Sequence, residues 1–233
     1  MHTGIGHIVE LSLQGDWLQA RLKCAANLVP GPGQYLLASR TDQEFPVPIF
    51  YTDSAPEGFM IAHPFPENWL PGQTLALRGP LGRGFDLAPI THKLALIAKT
   101  DTPVRLLGLI GLAFKRQSEV VLLTDQPADY LPSQVEVQPL SALSDVFAWA
   151  DFLACDVLID DVADLKLQFR NLEALNPQLM ATSPGTRGSV QLLVRTSMPC
   201  GGLAECGICA LRTSSSWKRA CVDGPVFDLQ DLK

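Results

Sequence analysis

Four thiols, Cys200, Cys206, Cys209 and Cys221, stand close together, separated by five, two and eleven residues. Three belong to one glycine-rich segment, Met198-Pro-Cys-Gly-Gly-Leu-Ala-Glu-Cys-Gly-Ile-Cys209, and the fourth follows a stretch with hairpin character. This spacing is similar to the plant-type ligand pattern for a [2Fe–2S] cluster, with a first gap one residue longer than usual. Gly201, Gly202 and Gly207 lack Cβ atoms, so the loop can wrap closely and aim backbone N–H groups at bridging sulfides. Such hydrogen bonds tune a reduction potential.

Zinc and disulfides are the competing uses of the same thiols. A structural zinc site with four cysteine ligands generally has two C-x2-C knuckles, and here only Cys206 and Cys209 form one. Disulfides belong to oxidising compartments, whereas the N-terminus, Met1-His-Thr-Gly-Ile-Gly-His7, has neither a basic region nor an apolar one. The expected location is therefore the reducing cytoplasm.

With 233 residues, 47% hydrophobic and 18% charged, the chain can bury a core and divide into two or three units. Its net charge of −6 leaves no basic stripe for nucleic acid. No apolar run reaches the length of a membrane span.

Two rhythms position the thiols. Up to about residue 87, short apolar runs at 8–13, 17–24, 35–38, 47–51, 59–63 and 74–78 alternate with turns such as Pro30-Gly-Pro-Gly33 and Leu70-Pro-Gly-Gln73. They predict a small antiparallel barrel of six strands. From 93 to about 176, strands at 94–98, 120–124, 135–139 and 157–159 alternate with helical stretches at 104–116, 144–150 and 162–175, which predicts a parallel α/β sheet. Residues 177–188, rich in Pro, Ser, Thr and Gly, read as a linker. The expected parts are thus 1–90, a barrel; 91–176, an α/β domain; and 177–233, linker plus cluster module.

Together with the order of parts, the strings Pro32-Gly-Gln-Tyr35, Gly79-Pro-Leu-Gly-Arg-Gly-Phe85 and Trp217-Lys-Arg-Ala-Cys-Val-Asp-Gly-Pro-Val-Phe227 resemble the electron-transfer subunit of dihydroorotate dehydrogenase. The resemblance spans the whole chain and is most specific over 198–227. It implies a fold of the ferredoxin-reductase superfamily, an FAD, one [2Fe–2S] cluster, and electron passage between NADH and an FMN-containing catalytic subunit of a hetero-oligomer in pyrimidine biosynthesis. It also implies that Cys200, Cys206, Cys209 and Cys221 are the cluster ligands, and that Gly79, Pro80, Leu81, Gly82, Gly84 and Phe85 form a flavin-contacting loop. The loop's own residues equally allow a tight turn ending the barrel.

The chain departs from that family at the nucleotide contacts. Val47-Pro-Ile-Phe50 stands where relatives carry an Arg and a hydroxyl residue; Val47 has no donor for a pyrophosphate and Phe50 no hydroxyl for a flavin edge. His63-Pro-Phe-Pro-Glu-Asn-Trp69 replaces a Gly-Thr helix start, and Glu67 would repel an anion there. Ala98-Lys-Thr-Asp-Thr-Pro-Val104 replaces a glycine-rich dinucleotide turn, with Asp101 and Pro103 at glycine positions. Leu158-Ile-Asp-Asp161 stands where relatives carry Cys-Gly-Pro. An FAD is thereby in doubt, and NAD(P)H binding is not expected.

Other residues have plainer readings. Cys155 and Cys24 are expected as buried small hydrophobes, Lys99 as a surface charge, and Asp160 and Asp161 as a turn and helix cap. His2, His7, His63 and His92 are scattered without ligand spacing.

The residues point to an electron-transfer subunit with no catalytic side chains of its own, relaying single electrons through the cluster to a partner oxidoreductase. The alternative is a non-catalytic assembly or regulatory partner that keeps the reductase scaffold and binds a structural metal. A self-contained NADH-dependent flavin reductase is a third reading.

Overall fold

The computed structural model describes residues 1–14, 17–42, 45–100, 102–175 and 190–233. The expected linker at 177–188 and Asp101 lie outside the described residues.

Seven strands form the first sheet: β1 His2–Gln14, β2 Trp17–Lys23, β3 Tyr35–Ser39, β4 Val47–Phe50, β5 Asp53–Ala55, β6 Gly58–Ala62 and β7 Thr74–Leu81. All pairings are antiparallel, in the order β4-β3-β7-β1-β2-β6-β5. Along β7 the side chains of Leu75, Leu77 and Leu81 turn inward while their neighbours face out, the period of a half-buried strand. Register shifts in β1 between Ile8 and Glu10, and in β3 between Tyr35 and Leu37, bend the sheet. It curls until β4 contacts β6, around a core of Ile8, Leu22, Phe59, Ile61 and Trp69. The expected six strands become seven because Asp53–Ala55 folds back on β6 through the turn at Pro56 and Glu57. Its polar residues gave no apolar run to read.

The second sheet holds β8 Lys93–Ala98, β9 Glu119–Leu123, β10 Val135–Gln138, β11 Phe152–Leu158 and β12 Val190–Arg195, all parallel. Helices α1 Val104–Lys115, α2 Leu143–Trp149 and α3 Val162–Leu175 connect them. Past the cysteine loop come a hairpin, β13 Ala210–Arg212 and β14 Trp217–Arg219, and then β15 Val226–Asp228, which closes the parallel sheet by pairing antiparallel with β12. The sheet order is β10-β9-β8-β11-β12-β15. β11 starts five residues earlier than expected at 157, because Asp156 interrupts an otherwise apolar run.

The two faces of this sheet alternate with period two and bury different partners. Leu94, Leu96, Phe152 and Ala154 meet α1 and the barrel residue Ala62. Ala95, Ile97, Cys155 and Val157 meet α2, α3 and, from the cysteine module, Cys209, Ala220 and Cys221. The module therefore shares a core with the α/β sheet. Cys155 is fully buried, as expected, and Cys24 is half-buried against the barrel core. Asp160 and Asp161 lie in a 3-10 turn that leads into α3. No helix among the described residues is long and apolar enough to cross a membrane.

Candidate functional site

The cysteine loop departs from β12 and returns through β13. Gly201, Gly202, Ala204 and Gly207 take positive φ values of 58, 71, 64 and 72°. Left-handed residues set among right-handed ones turn successive N–H groups to one side and create an anion-binding concavity. Here the N–H groups of Leu203, Glu205 and Cys206 meet the Cys200 sulfur, and that of Ala204 meets the Cys221 sulfur. The residue added to the first gap is thus absorbed by left-handed turns, and the loop still aims its donors inward.

All six cysteines are free thiols. Cys209 and Cys221 are buried with their Sγ atoms 3.3 Å apart, far beyond the ~2.05 Å of a disulfide bond. Cys200 is half-buried and its thiol is hydrogen-bonded to that of exposed Cys206. The four sulfurs thus form an inner and an outer pair. Backbone donors, Cys206 first, hold the Cys200 thiol down at about 6, whereas burial, followed by the Cys209 side chain, pushes Cys221 up to about 12.

Among the described residues no three His, Cys, Asp or Glu side chains converge as ligands of a single ion. Two pairs of sulfurs, with N–H groups directed at Cys200 and Cys221, match a binuclear cluster in which each iron takes two cysteines. The residues present fit a [2Fe–2S] cluster.

The module is fixed to the barrel through the strings that carried the family resemblance. Tyr35, fully buried at the start of β3, donates its hydroxyl to the Cys221 carbonyl at 2.8 Å. Gln34 accepts from Gly31 N and donates to the Gly82 carbonyl, each at 3.0 Å. Arg78 on β7 donates to the Gly201 carbonyl. The loop from Gly79 to Phe85 lies in this seam. Gly82 abuts Gly224 and Pro225, Arg83 is paired with Asp228 at 3.0 Å, Gly84 touches the Pro32 carbonyl, and Phe85 N donates to that carbonyl at 2.9 Å. Tyr35→Phe, which removes one buried hydrogen bond, is expected to cost about 1–2 kcal/mol in chemical denaturation. Iron content should stay near wild type, because no ligand is touched.

Two of the segments that depart from the family, 47–50 and 98–104, lie near one buried carboxylate. Asp156, at the carboxyl end of β11, has 0% side-chain exposure. Its Oδ2 lies 3.3 Å from Arg105 Nη1 and from Thr100 Oγ1, and its Oδ1 lies 3.3 Å from Arg195 Nε. Burial pushes its carboxyl upward, and the two guanidinium groups pull the other way. Arg105 also lies over the Phe50 ring, 5.3 Å from its centroid, while Gly108 of α1 abuts Tyr51. In the segment 63–69, Phe65 and Trp69 stack at 5.9 Å inside the barrel core. At β4, Val47 offers no donor for a pyrophosphate, and the Arg105 guanidinium lies over the Phe50 ring. Sequence reasoning missed Asp156; its one signal was a lone carboxylate in an apolar strand.

Residues 196–233 match the model of the iron–sulfur cluster binding domain of dihydroorotate dehydrogenase B. No curated protein matches the chain in sequence. Among solved structures, the NADH-dependent reduced ferredoxin–NADP oxidoreductase of flavin-based electron bifurcation superposes with a TM-score of 0.70 at 15% identity, covering 99% of this chain and 90% of that one. A cytochrome P450 reductase from Amycolatopsis gives 0.57 at 14%, covering 84% and 71%. A ferredoxin–NADP+ reductase from Neisseria gonorrhoeae with bound FAD and NADP gives 0.55 at 9%, covering 82% and 98%. The fold is that of ferredoxin reductases, and it carries a C-terminal iron–sulfur cluster binding module.

Proposed function

We propose that this chain is an electron-transfer subunit of the dihydroorotate dehydrogenase B kind, relaying single electrons through a [2Fe–2S] cluster between a flavin or NAD(P)H source and a partner oxidoreductase. The observation that carries this reading is the two-by-two arrangement of sulfurs inside a module that matches an iron–sulfur binding domain. Cys200 and Cys206 would hold one iron, and Cys209 and Cys221 the other. When bound, the cluster accepts and releases one electron at a time.

The chain's own residues supply the surroundings. Left-handed turns direct N–H groups at the sulfurs, which favours the reduced, more negative state. Tyr35 and Arg78 brace the loop against the barrel so that the ligands keep their places. The inner pair is sealed in the core, and the outer pair opens toward solvent at Cys206. Leu203 and Ile208, on either side of Cys206, and Val222, next to Cys221, expose apolar side chains that suit contact with a catalytic subunit. That subunit is an FMN-containing dihydroorotate dehydrogenase-like enzyme in a hetero-oligomer. The barrel, the α/β sheet and the cysteine module act as scaffold, spacer and electron carrier.

An anaerobic absorption spectrum before and after dithionite, with iron and acid-labile sulfide measured on the same sample, tests the proposal. The expected result is bleachable cluster bands with about two irons and two sulfides per chain. Zinc without sulfide would establish the structural-metal alternative instead.

A further inference from the structure

An open parallel α/β sheet has its natural ligand crevice outside the carboxyl ends of its strands, where a helix N-terminus offers unpaired N–H groups to a phosphate. In this protein that place holds Asp156. The ends of β8 and β11 meet there, with Lys99 N donating to the Asp156 carbonyl at 3.2 Å. The first turn of α1 carries no acidic residue, and Thr102 Oγ1 accepts from Val104 N at 3.3 Å, so one of its leading N–H groups is already engaged. In its first turn stands Arg105, a cation at the positive end of a helix, an arrangement that needs a nearby negative charge. Asp156 supplies it, and Arg195 at the end of β12 converges on the same carboxylate.

We propose that the Asp156 carboxylate is a built-in anion that takes the place of a nucleotide phosphate, binding Arg105 and Arg195 to itself and closing the crevice to NAD(P)H. A cavity of about 530 Å³ persists beside it, lined by Lys99, Thr100, Asp125, Leu158 and Arg195. Of its cations, Arg195 is engaged by Asp156, and Asp125 adds a negative charge to the rim, held in place by accepting from Leu140 N at 3.0 Å. The same pairing fixes Arg105 over Phe50. One carboxylate therefore serves both as the phosphate substitute and as the strut between barrel and α/β sheet. The inference stands apart from the cluster assignment, since none of these residues touches a cysteine of the module.

The test is calorimetric titration of the wild-type chain and of Asp156→Asn with NADH, NADPH and inorganic pyrophosphate, with iron content recorded for both proteins. Wild type should show no saturable binding of any of the three. Asp156→Asn, of nearly the same shape, removes the negative charge that both guanidinium groups face and should bind pyrophosphate at least about tenfold more tightly than wild type. NADH or NADPH binding to wild type with Kd below about 100 μM would overturn the proposal. So would a folded Asp156→Asn with no gain in pyrophosphate binding. Should that variant fail to fold by circular dichroism, the wild-type titration decides alone: silence upholds the proposal and binding overturns it. Iron content reports separately on the cluster.

Discussion

Cys209→Ser is expected to remove most of the iron and visible absorbance from the purified protein, leaving less than about a fifth of the wild-type content. Serine is nearly the same size, so the loop keeps its shape, but its oxygen is a harder and more basic donor than thiolate. Cys209 is 1% exposed and lies 3.3 Å from Cys221, so no neighbouring water or side chain can readily replace it. Cys206→Ser should behave similarly from the outer pair, because in the proposed assignment the two thiols of each pair serve one iron. Cys155→Ala provides the control: it empties a small space in the shared core yet should leave iron content unchanged. Wild-type iron in both serine variants would refute the ligand assignment.

The second large effect concerns the seam. At Gly82, with φ of +72°, an added Cβ would stand 2.3 Å from the Gly224 carbonyl oxygen and 2.7 Å from Pro225 Cδ. Neither obstacle is the tip of a flexible side chain. Gly82→Ala therefore combines backbone strain with overpacking and should destabilise by about 2–4 kcal/mol, or roughly 5–12 °C in Tm. Gly224 and Pro225 follow closely on Cys221, so cluster content should fall on mild warming before the barrel melts. Gly111→Ala gives the opposite sign: its Cβ would meet only Asp53 Oδ1 at 3.4 Å, within a helix that alanine favours by up to about 1 kcal/mol. Equal stability of Gly82→Ala and wild type in thermal melts would mean that the seam yields more easily than these contacts imply.

Much of this architecture was legible from residue order, for identifiable reasons. The helices at 104 and 162 begin where apolar periodicity of 3.6 begins, and most barrel strands coincide with short apolar runs between Gly and Pro turns. β5 was invisible because Asp53-Ser-Ala55 has no apolar pattern; hydrogen bonding to β6 alone makes it a strand. β15 was hidden inside a string read for its cysteine, and only the tertiary pairing with β12 reveals it. At the site, cysteine spacing carried the chemistry, whereas the division of the sulfurs into inner and outer pairs needed three dimensions. The role of Pro32-Gly-Gln-Tyr35 was equally out of reach, since Tyr35 contacts Cys221 across 186 positions of sequence. Asp156 escaped notice because a single acidic residue says nothing until the arginines from two other elements arrive.

Cys221 and β15 are separated by four residues, and both finish structures begun far upstream. Synthesis therefore delivers the last thiol and the closing strand almost together. Before that moment a nascent chain has three of the module's four thiols and a bare β12 edge, the kind of unpaired edge that recruits other chains. Once β15 docks, the edge is covered and the fourth sulfur is drawn into the same core. Quality control of the polypeptide and readiness to receive iron thus coincide in time, and a truncated product would be deficient in both.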